Sequence, residues 1–486
     1  MLFNSITYIL FLSFAVFAYW NLPYRYRITF LSGMSLLFYS FWRVEFCLLI
    51  IFSAGVDFIA SRKIYGSEDE RKRKIYLAIS LVTNLGLLAI FKYTYFVYDN
   101  ISFIATQANY RFPSFDSIAI KIILPLGISF YTFQTISYTI DVFRKIVKPI
   151  DNFNLFLAYV IFWPQLIAGP ILRFGEVVPQ LVEEKKFMPE LASSGIVLII
   201  VGLFKKVVLA DNLAIFVDAG FEASVSQLNA LDIWLLSFMF GFQIYFDFSA
   251  YSDIAIGSAR LLGIYFPDNF NWPYMAVSPK EFWNRWHISL SSWVRDYLYL
   301  PIIGEKFRTD SKGGIGEAAV SKKRDRNKAL FVTWMLMGLW HGANWTFVLW
   351  GIYHAVFIFI YRVIKIFNFL ERKLPVISWL FTIFVVMAGW ILFRSENISE
   401  SAAMYSILLN PNNYSLNGRI FPLQDYFMVF VLISTMVIMY EIWKKNINRY
   451  FDSIGWVFTR YAAIAVMIFF IAVYLKPVQQ FIYFQF

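Results

Sequence analysis

Two segments of this chain set a histidine among tryptophans: EFWNRWHISLSSWVRDYLYLP over residues 281–301 and LWHGANW over 339–345. They contain His287 and His341, two of the three histidines in 486 residues, and His341 sits in the middle of a long apolar stretch. A titratable ring in hydrocarbon is expensive, and one that is kept there is read first as a functional group. Neutral imidazole is a good base near pH 7. The chemistry that fits is simple: the ring takes a proton from an acceptor hydroxyl and sets that oxygen against a carbonyl already activated, as in a thioester.

Other chemistries fit the same residues less well. Two imidazoles without an accompanying helix motif of carboxylate and histidine make a poor zinc or iron site, because catalytic zinc usually takes three protein ligands. No metal is expected. Ser289, Ser291 and Ser292 lie close to His287, but no Gly-x-Ser-x-Gly elbow presents any of them as a nucleophile. His354, in IYHAVFIFI, falls in a plain apolar stretch and reads as a packing residue. Asp247 and Asp253 stand in the apolar segment 243–263. They either line a polar cavity or pair with a base, or they cap a helix break around Ser249–Ser252. Lys205 and Lys206, in GLFKKVVLAD, either snorkel to the cytoplasmic interface or meet an anionic donor there. Cys47 is the only cysteine, so an intramolecular disulfide and a cysteine-rich metal site are excluded. Lying in FCLLI, it reads as a small buried apolar residue.

The elements that must position these groups are membrane helices. With 59% hydrophobic residues, 15% charged residues and a mean hydropathy of +0.58, the chain has too little charge to cover a soluble surface of this size. It reads as an all-α polytopic membrane protein. A span needs about 20 apolar residues. Candidates are 5–21, 28–42, 44–60, 75–97, 118–140, 152–171, 191–210, 230–250, 330–346, 347–364, 376–393, 424–442 and 457–475, which predicts 11–13 membrane helices with some short or partial. The first apolar run, Ile6–Trp20, lacks a basic leader and a small-residue cleavage site, so it is expected to be retained. No tandem repeat or soluble domain is visible, and the chain is expected to be one membrane domain over 1–486, with its core signature at about 120–355.

The net charge of +11 is not a nucleic-acid signal. Basic residues cluster between apolar runs, six in Arg62–Lys74 and eight in Lys306–Lys328. Such loops are cytoplasmic under the positive-inside rule and neighbour anionic membrane lipids. The loops 99–117 and 394–423 are then external. From Phe266 to Pro301, prolines, tryptophans and charges interleave, which is tolerated at membrane depth only when shielded by protein or lining a cavity. Trp283, Trp286, His287, Leu290, Trp293, Val294 and Tyr297 recur at helical spacing and predict a short amphipathic or re-entrant helix, with Arg285, Ser289, Ser292 and Asp296 on its wetter side. Leu330–Tyr361 is about two spans long. Its interruption at Gly342-Ala343-Asn344 predicts a hairpin or broken helix that sets His341 roughly 16 Å from the cytoplasmic side.

FWNRWHISLSSWVRDYLYLP followed by GLWHGANWTFVLWGIYHA resembles the paired signature of the membrane-bound O-acyltransferase superfamily. Within it, the chain resembles the bacterial branch of alginate O-acetyltransferase membrane subunits and peptidoglycan O-acetyltransferases. More distantly it resembles the D-alanyl-transferring protein of teichoic acid modification. LPLGISFYTFQTISYTIDVFRK (124–145), FWPQLIAGPILRFGEVVPQL (162–181), GLFKKVVLADN (202–212), FDFSAYSDIAIG (246–257) and the terminal FIYFQF extend the likeness over nearly the whole chain.

The resemblance implies a ring of membrane helices around a thinned centre, with a funnel from each side meeting near the key histidine. It implies His341 as the catalytic histidine and His287 as its companion, with Trp286, Trp340, Asn344, Arg295, Asp296, Asp247 and Asp253 as candidates for the channel. No bound cofactor is implied; the acyl donor would be acetyl-CoA or another cytoplasmic thioester, steered by the basic loop 305–328 unless that loop only sets topology. The acceptor would be an envelope polysaccharide outside the bacterial cytoplasmic membrane, served by a periplasmic SGNH-type esterase/transferase partner. Two alternatives stay open: transfer of another acyl group such as D-alanine, and transport of an acylated or glycan intermediate. Against transport, there is no inverted repeat of paired broken helices.

Overall fold

The apolar runs form helices whose starts are set by short polar side chains. Ser5, Asp69, Asn152, Ser278, Asn344 and Asn397 each accept a backbone N–H of the first turn that follows. These bonds satisfy donors that a helix N-terminus otherwise leaves orphaned. The structure is a computed structural model describing residues 1–110, 122–167, 169–304, 306–309, 315–319, 326–417, 419–444, 454–475 and 481–482.

Six helices among the described residues are long and apolar enough to cross a membrane: Glu70–Gln107, Pro189–Glu222, Ala230–Leu261, Trp345–Val363, Pro375–Arg394 and Leu423–Lys444. Ile6–Asn21, Ile398–Leu409 and Thr459–Tyr474 are shorter apolar helices. The fold is that of an all-α polytopic membrane protein. A short antiparallel pairing of Lys306–Thr309 with Ile315–Ala319 is the exception, and it falls within the basic segment read as a plain loop. The rest of that segment's basic cluster lies largely outside the described residues.

The chain divides into two compact units. The first comprises residues 1–196, 255–267 and 306–319. At its heart is a carboxylate with no exposure, Asp57, on the helix Glu45–Gly66. Ser80 Oγ donates to it at 2.5 Å, and Asn84 Nδ2 donates to both its oxygens at 2.9 Å. Burying such a group is tolerable only when its lone pairs are met in this way. The candidate span 152–171 is not one helix: Asn152 caps Phe153–Ile161, Phe162 is non-helical, and a second short helix begins at Trp163-Pro164. Proline lacks the N–H that a continuous helix would need there. Cys47 is half-buried rather than buried, with its thiol 3.7 Å from the Leu36 carbonyl.

The second unit comprises residues 197–254, 268–305 and 320–486, and holds all three histidines. The helix Ala230–Leu261, whose residues 230–254 belong to this unit, runs unbroken through Ser249–Ser252, so Asp247 and Asp253 cap no break there. The helices Arg326–His341 and Trp345–Val363 form an antiparallel hairpin, turning at Gly342–Asn344 as expected. Glycine lets its arms touch backbone to backbone. A Cβ on Gly338 would stand 2.1 Å from the Phe347 carbonyl, and one on Gly351 would stand 2.1 Å from that of Trp334.

Candidate active site

His341 is the last residue of the first hairpin arm, 5% exposed, and it is held by aromatic rings. Ring centroids lie 4.9 Å away at Trp340, 5.1 Å at Trp350 and 5.5 Å at Phe393. At 1.5 Å per residue, it stands about 22 Å along the arm from Arg326. Asn344 secures the turn beyond it: Oδ1 accepts from Thr346 N at 3.1 Å, and Nδ2 donates to the Glu396 carbonyl at 2.8 Å.

His287 occupies a break. The apolar stripe from Trp283 to Tyr297 reads as one helix in sequence, but the chain forms Pro279–Arg285, then Ile288–Val294, then a π-helical turn Arg295–Tyr299. His287 lies between the first two with φ +43°, in the left-handed region that costs an L-residue with a Cβ energy. Asn269 holds this turn. Its carbonyl accepts from Ile288 N at 2.9 Å and its Oδ1 accepts from Ser289 Oγ at 2.9 Å. The His287 ring is 1% exposed and 4.5 Å from the Phe248 ring. From Trp286, next in sequence, an aromatic relay runs to Trp390 at 5.1 Å, on to Trp350 at 6.1 Å, and so to His341.

A strained histidine separates backbone from side-chain roles by experiment. His287→Gly should be about 1 kcal/mol more stable than His287→Ala, because glycine adopts φ > 0 freely. Thermal unfolding in detergent reads this directly; equal midpoints would mean that the turn relaxes once the ring is gone. Both variants remove the imidazole, so partial activity in both marks a positioning ring, and a loss as complete as that of His341→Ala marks a proton carrier.

A cavity of about 1040 Å³ follows the first hairpin arm. Leu330, Thr333, Trp334 and Met337 form its wall along one helix face, and Met337 is one turn below His341. Trp283, Ile288 and Val294 wall it from the broken segment. Lys280 and Arg362 line it with Glu371, as does Arg295, whose charge is paired with Asp296. Among the described residues, no three metal-ligating side chains converge.

Residues 142–394 match the membrane-bound O-acyltransferase family. The chain belongs to that family. A probable alginate O-acetylase from Azotobacter vinelandii is 38% identical over 342 residues, covering 70% of this chain and 64% of the relative's own length. The peptidoglycan O-acetyltransferase of Helicobacter pylori is 29% identical over 477 residues, covering 88% of this chain and 86% of the relative. The teichoic acid D-alanyltransferase of Bacillus subtilis is 30% identical over 256 residues, covering 52% and 63%. This chain therefore aligns with somewhat under two thirds of the alginate O-acetylase and with most of the peptidoglycan O-acetyltransferase.

Of the channel residues expected of this O-acyltransferase family member, Arg295 is on the cavity wall. Asp296 is not on a wet face; with no exposure, it binds the Arg295 guanidinium at 2.7 Å and so aims it. Ser289 is likewise buried, on Asn269, while Arg285 pairs with Glu281 at 2.6 Å. Trp286 and Trp340 are buried packing partners of the histidine region, and Asn344 is a helix cap. Asp247 and Asp253 pair with bases. Lys206 reaches Asp247 at 2.7 Å and Asp211 at 2.8 Å, and Lys205 reaches Asp253 at 2.7 Å. These lysines, on the π-helical segment Phe204–Ala210, are thus neutralised by carboxylates of their own chain.

Sequence reasoning missed Lys280, Thr333, Met337, Arg362 and Asn269. The first arm did carry a signal: Leu330, Thr333, Trp334 and Met337 follow i, i+3, i+4, i+7 spacing on a face that leads to His341. Asn269 has no such signal, since its role depends on a segment lying beside the break.

Proposed function

We propose that this protein is an O-acetyltransferase that moves an acetyl group from a cytoplasmic thioester donor across the bilayer to hydroxyls of an envelope polysaccharide, alginate-like or peptidoglycan. The observation that carries the reading is the cavity: Lys280, Arg295 and Arg362 line it, it runs along the hairpin arm Arg326–His341, and Met337, one turn below His341, is on its wall. The end bearing Arg326, Lys328 and Arg362 is cytoplasmic by the positive-inside rule. An acetyl thioester entering there, with acetyl-CoA as the donor of fitting charge, brings its carbonyl toward His341.

In this reading His341 is the general base. It takes the proton of the acceptor hydroxyl as that oxygen bonds to the thioester carbonyl carbon. The adduct collapses, the C–S bond breaks, and the imidazolium returns the proton to the departing thiolate. His287, fixed in its turn by Asn269, assists by orienting the acceptor. The names of the alginate and peptidoglycan relatives support acetyl as the group and a polysaccharide as the acceptor. In this reading the protein sits in the bacterial cytoplasmic membrane, and a periplasmic SGNH-type partner completes delivery. Transfer of D-alanyl is the second reading, favoured by the teichoic acid D-alanyltransferase relatives.

Donor charge can be tested at the cavity. Arg362→Ala combined with Lys280→Ala should raise KM for acetyl-CoA by about 5–10-fold with a smaller change in kcat, the pattern of lost uniform binding. The difference should shrink as salt rises, because these groups act through screened charge. An unchanged KM at low salt would remove the cavity from donor binding. Product analysis on alginate, peptidoglycan and teichoic acid acceptors separates acetyl from D-alanyl transfer.

A further inference from the structure

The basic segment Arg62–Lys74 of the first unit is more than a charged turn. It joins the end of the helix Glu45–Gly66 to the start of the helix Glu70–Leu88, which packs beside it. Two of its cations are engaged: Lys74 pairs with Glu70 at 2.8 Å, and Arg73 donates to the Phe143 carbonyl. Three others, Arg62, Lys63 and Lys72, line a cavity of about 580 Å³ to which both helices contribute. That volume falls within the range of about 300–1,000 Å³ common for small-ligand sites.

Helical spacing brings the cations together. Ile59, Arg62, Lys63 and Gly66 stand at i, i+3, i+4 and i+7 on one face of the first helix, and Lys72 and Tyr76 at i and i+4 on the second. The Arg62 guanidinium lies 5.4 Å from the ring of Phe58, also on the wall. No carboxylate is among the described lining residues. Asp69, in the link, is committed to the backbone N–H groups of Arg71 and Lys72 at 2.8 and 3.4 Å. Arg62 reaches Asp151 at 3.8 Å, but that carboxylate is 90% exposed, and a solvated pair of this kind contributes little.

The same faces turn apolar away from the link and stay uncovered. Ile59, Phe52 and Leu48 are exposed along the first helix, and Ile79 and Val82 along the second. A cationic cavity that runs into exposed apolar rows matches a molecule with a charged head and fatty chains.

We infer that this cavity binds the phosphate headgroup of an anionic phospholipid from the cytoplasmic leaflet, with its acyl chains along the exposed rows. Basic residues near a membrane surface attract such lipids loosely wherever they stand. Here three cations surround one volume, so a single phosphate can accept several charge-assisted hydrogen bonds at once. The leaflet follows from the positive-inside rule. The site owes nothing to the reading of the donor cavity or of His341.

The test is binding of spin-labelled phosphatidylglycerol to the full chain in detergent, with spin-labelled phosphatidylcholine, which has no net charge, as reference. Wild type should favour phosphatidylglycerol by about tenfold or more, and less so as salt rises. Lys63→Gln/Lys72→Gln should lower its affinity by about tenfold or more; both side chains are exposed, so the fold should persist. Lys74→Gln, outside the cavity, should leave the affinity unchanged. Ile59→Ser/Ile79→Ser should weaken lipid binding too, and inorganic phosphate should displace the lipid only at far higher concentration, because it gains nothing from the apolar rows. No preference in wild type, or full affinity in the Lys63/Lys72 variant, overturns the inference. Equal losses in that variant and in Lys74→Gln overturn it as well, since they would show general charge attraction. Displacement by phosphate at a concentration similar to the lipid's would make this a free-anion site and end the lipid assignment.

Discussion

His341→Ala should lower acetyl transfer by about a thousandfold or more while the protein still inserts and elutes as a single species. General-base catalysis by a positioned side chain contributes about 10²–10⁴-fold, and no other residue on the hairpin turn carries a titratable ring. The substitution removes a ring packed on Trp340, Trp350 and Phe393, but the arms remain joined by the close approach at Gly338 and Gly351. His341→Gln is the companion variant. It keeps a polar side chain of similar reach and cannot take the proton, so it should be nearly as inactive. Glycan O-acetylation in cells and transfer from labelled acetyl-CoA in detergent both read the effect. Undiminished acetylation in His341→Ala would end the catalytic assignment.

The largest effect on stability is expected at Lys206. Its side chain is 8% exposed and joins Asp211 and Asp247, at 14% and 4% exposure. Lys206→Met leaves two carboxylates in a low-dielectric setting with their common cation gone. Breaking a buried pair costs about 3–5 kcal/mol, because the charge left behind has lost both water and partner. Asp247 also accepts the Ile482 N–H at 2.7 Å, so the C-terminal segment should loosen with it. Lys206→Met/Asp247→Leu should regain part of the loss, since an apolar pair avoids the desolvation of an isolated charge. Unfolding midpoints in detergent measure both, and a single variant as stable as wild type would show that the ion pairs contribute nothing.

The helices that carry the candidate site residues were partly legible from the residues alone, because membrane chemistry constrains them tightly. A histidine in an apolar run is an exception that asks for a use. The small residues at 342–344 announce a break, because they let a helix end and the chain reverse. The hairpin formed there, with Asn344 as its cap. The Trp-rich segment was harder. Its apolar residues keep helical spacing on both sides of His287, so periodicity reads straight through the point where the backbone turns left-handed. Nothing local announces that turn, which is held by Asn269 from a different part of the chain.

Charge shows the same division. Composition by itself made this a membrane protein, and the basic clusters set an expected sidedness, because both follow from the solvent each residue tolerates. The sequence also determined which two histidines to examine and where one of the helices around them breaks. Tertiary structure decided which polar groups are available. Asp247 and Asp253 read in sequence as channel candidates, and Lys205 and Lys206 as lysines at the interface or on an anionic donor, yet the four pair through contacts between Phe204–Ala210 and Ala230–Leu261. Arg295 reaches the cavity because Asp296 holds it. Residue type sets the energy of being buried, and long-range packing alone sets which partner meets that energy.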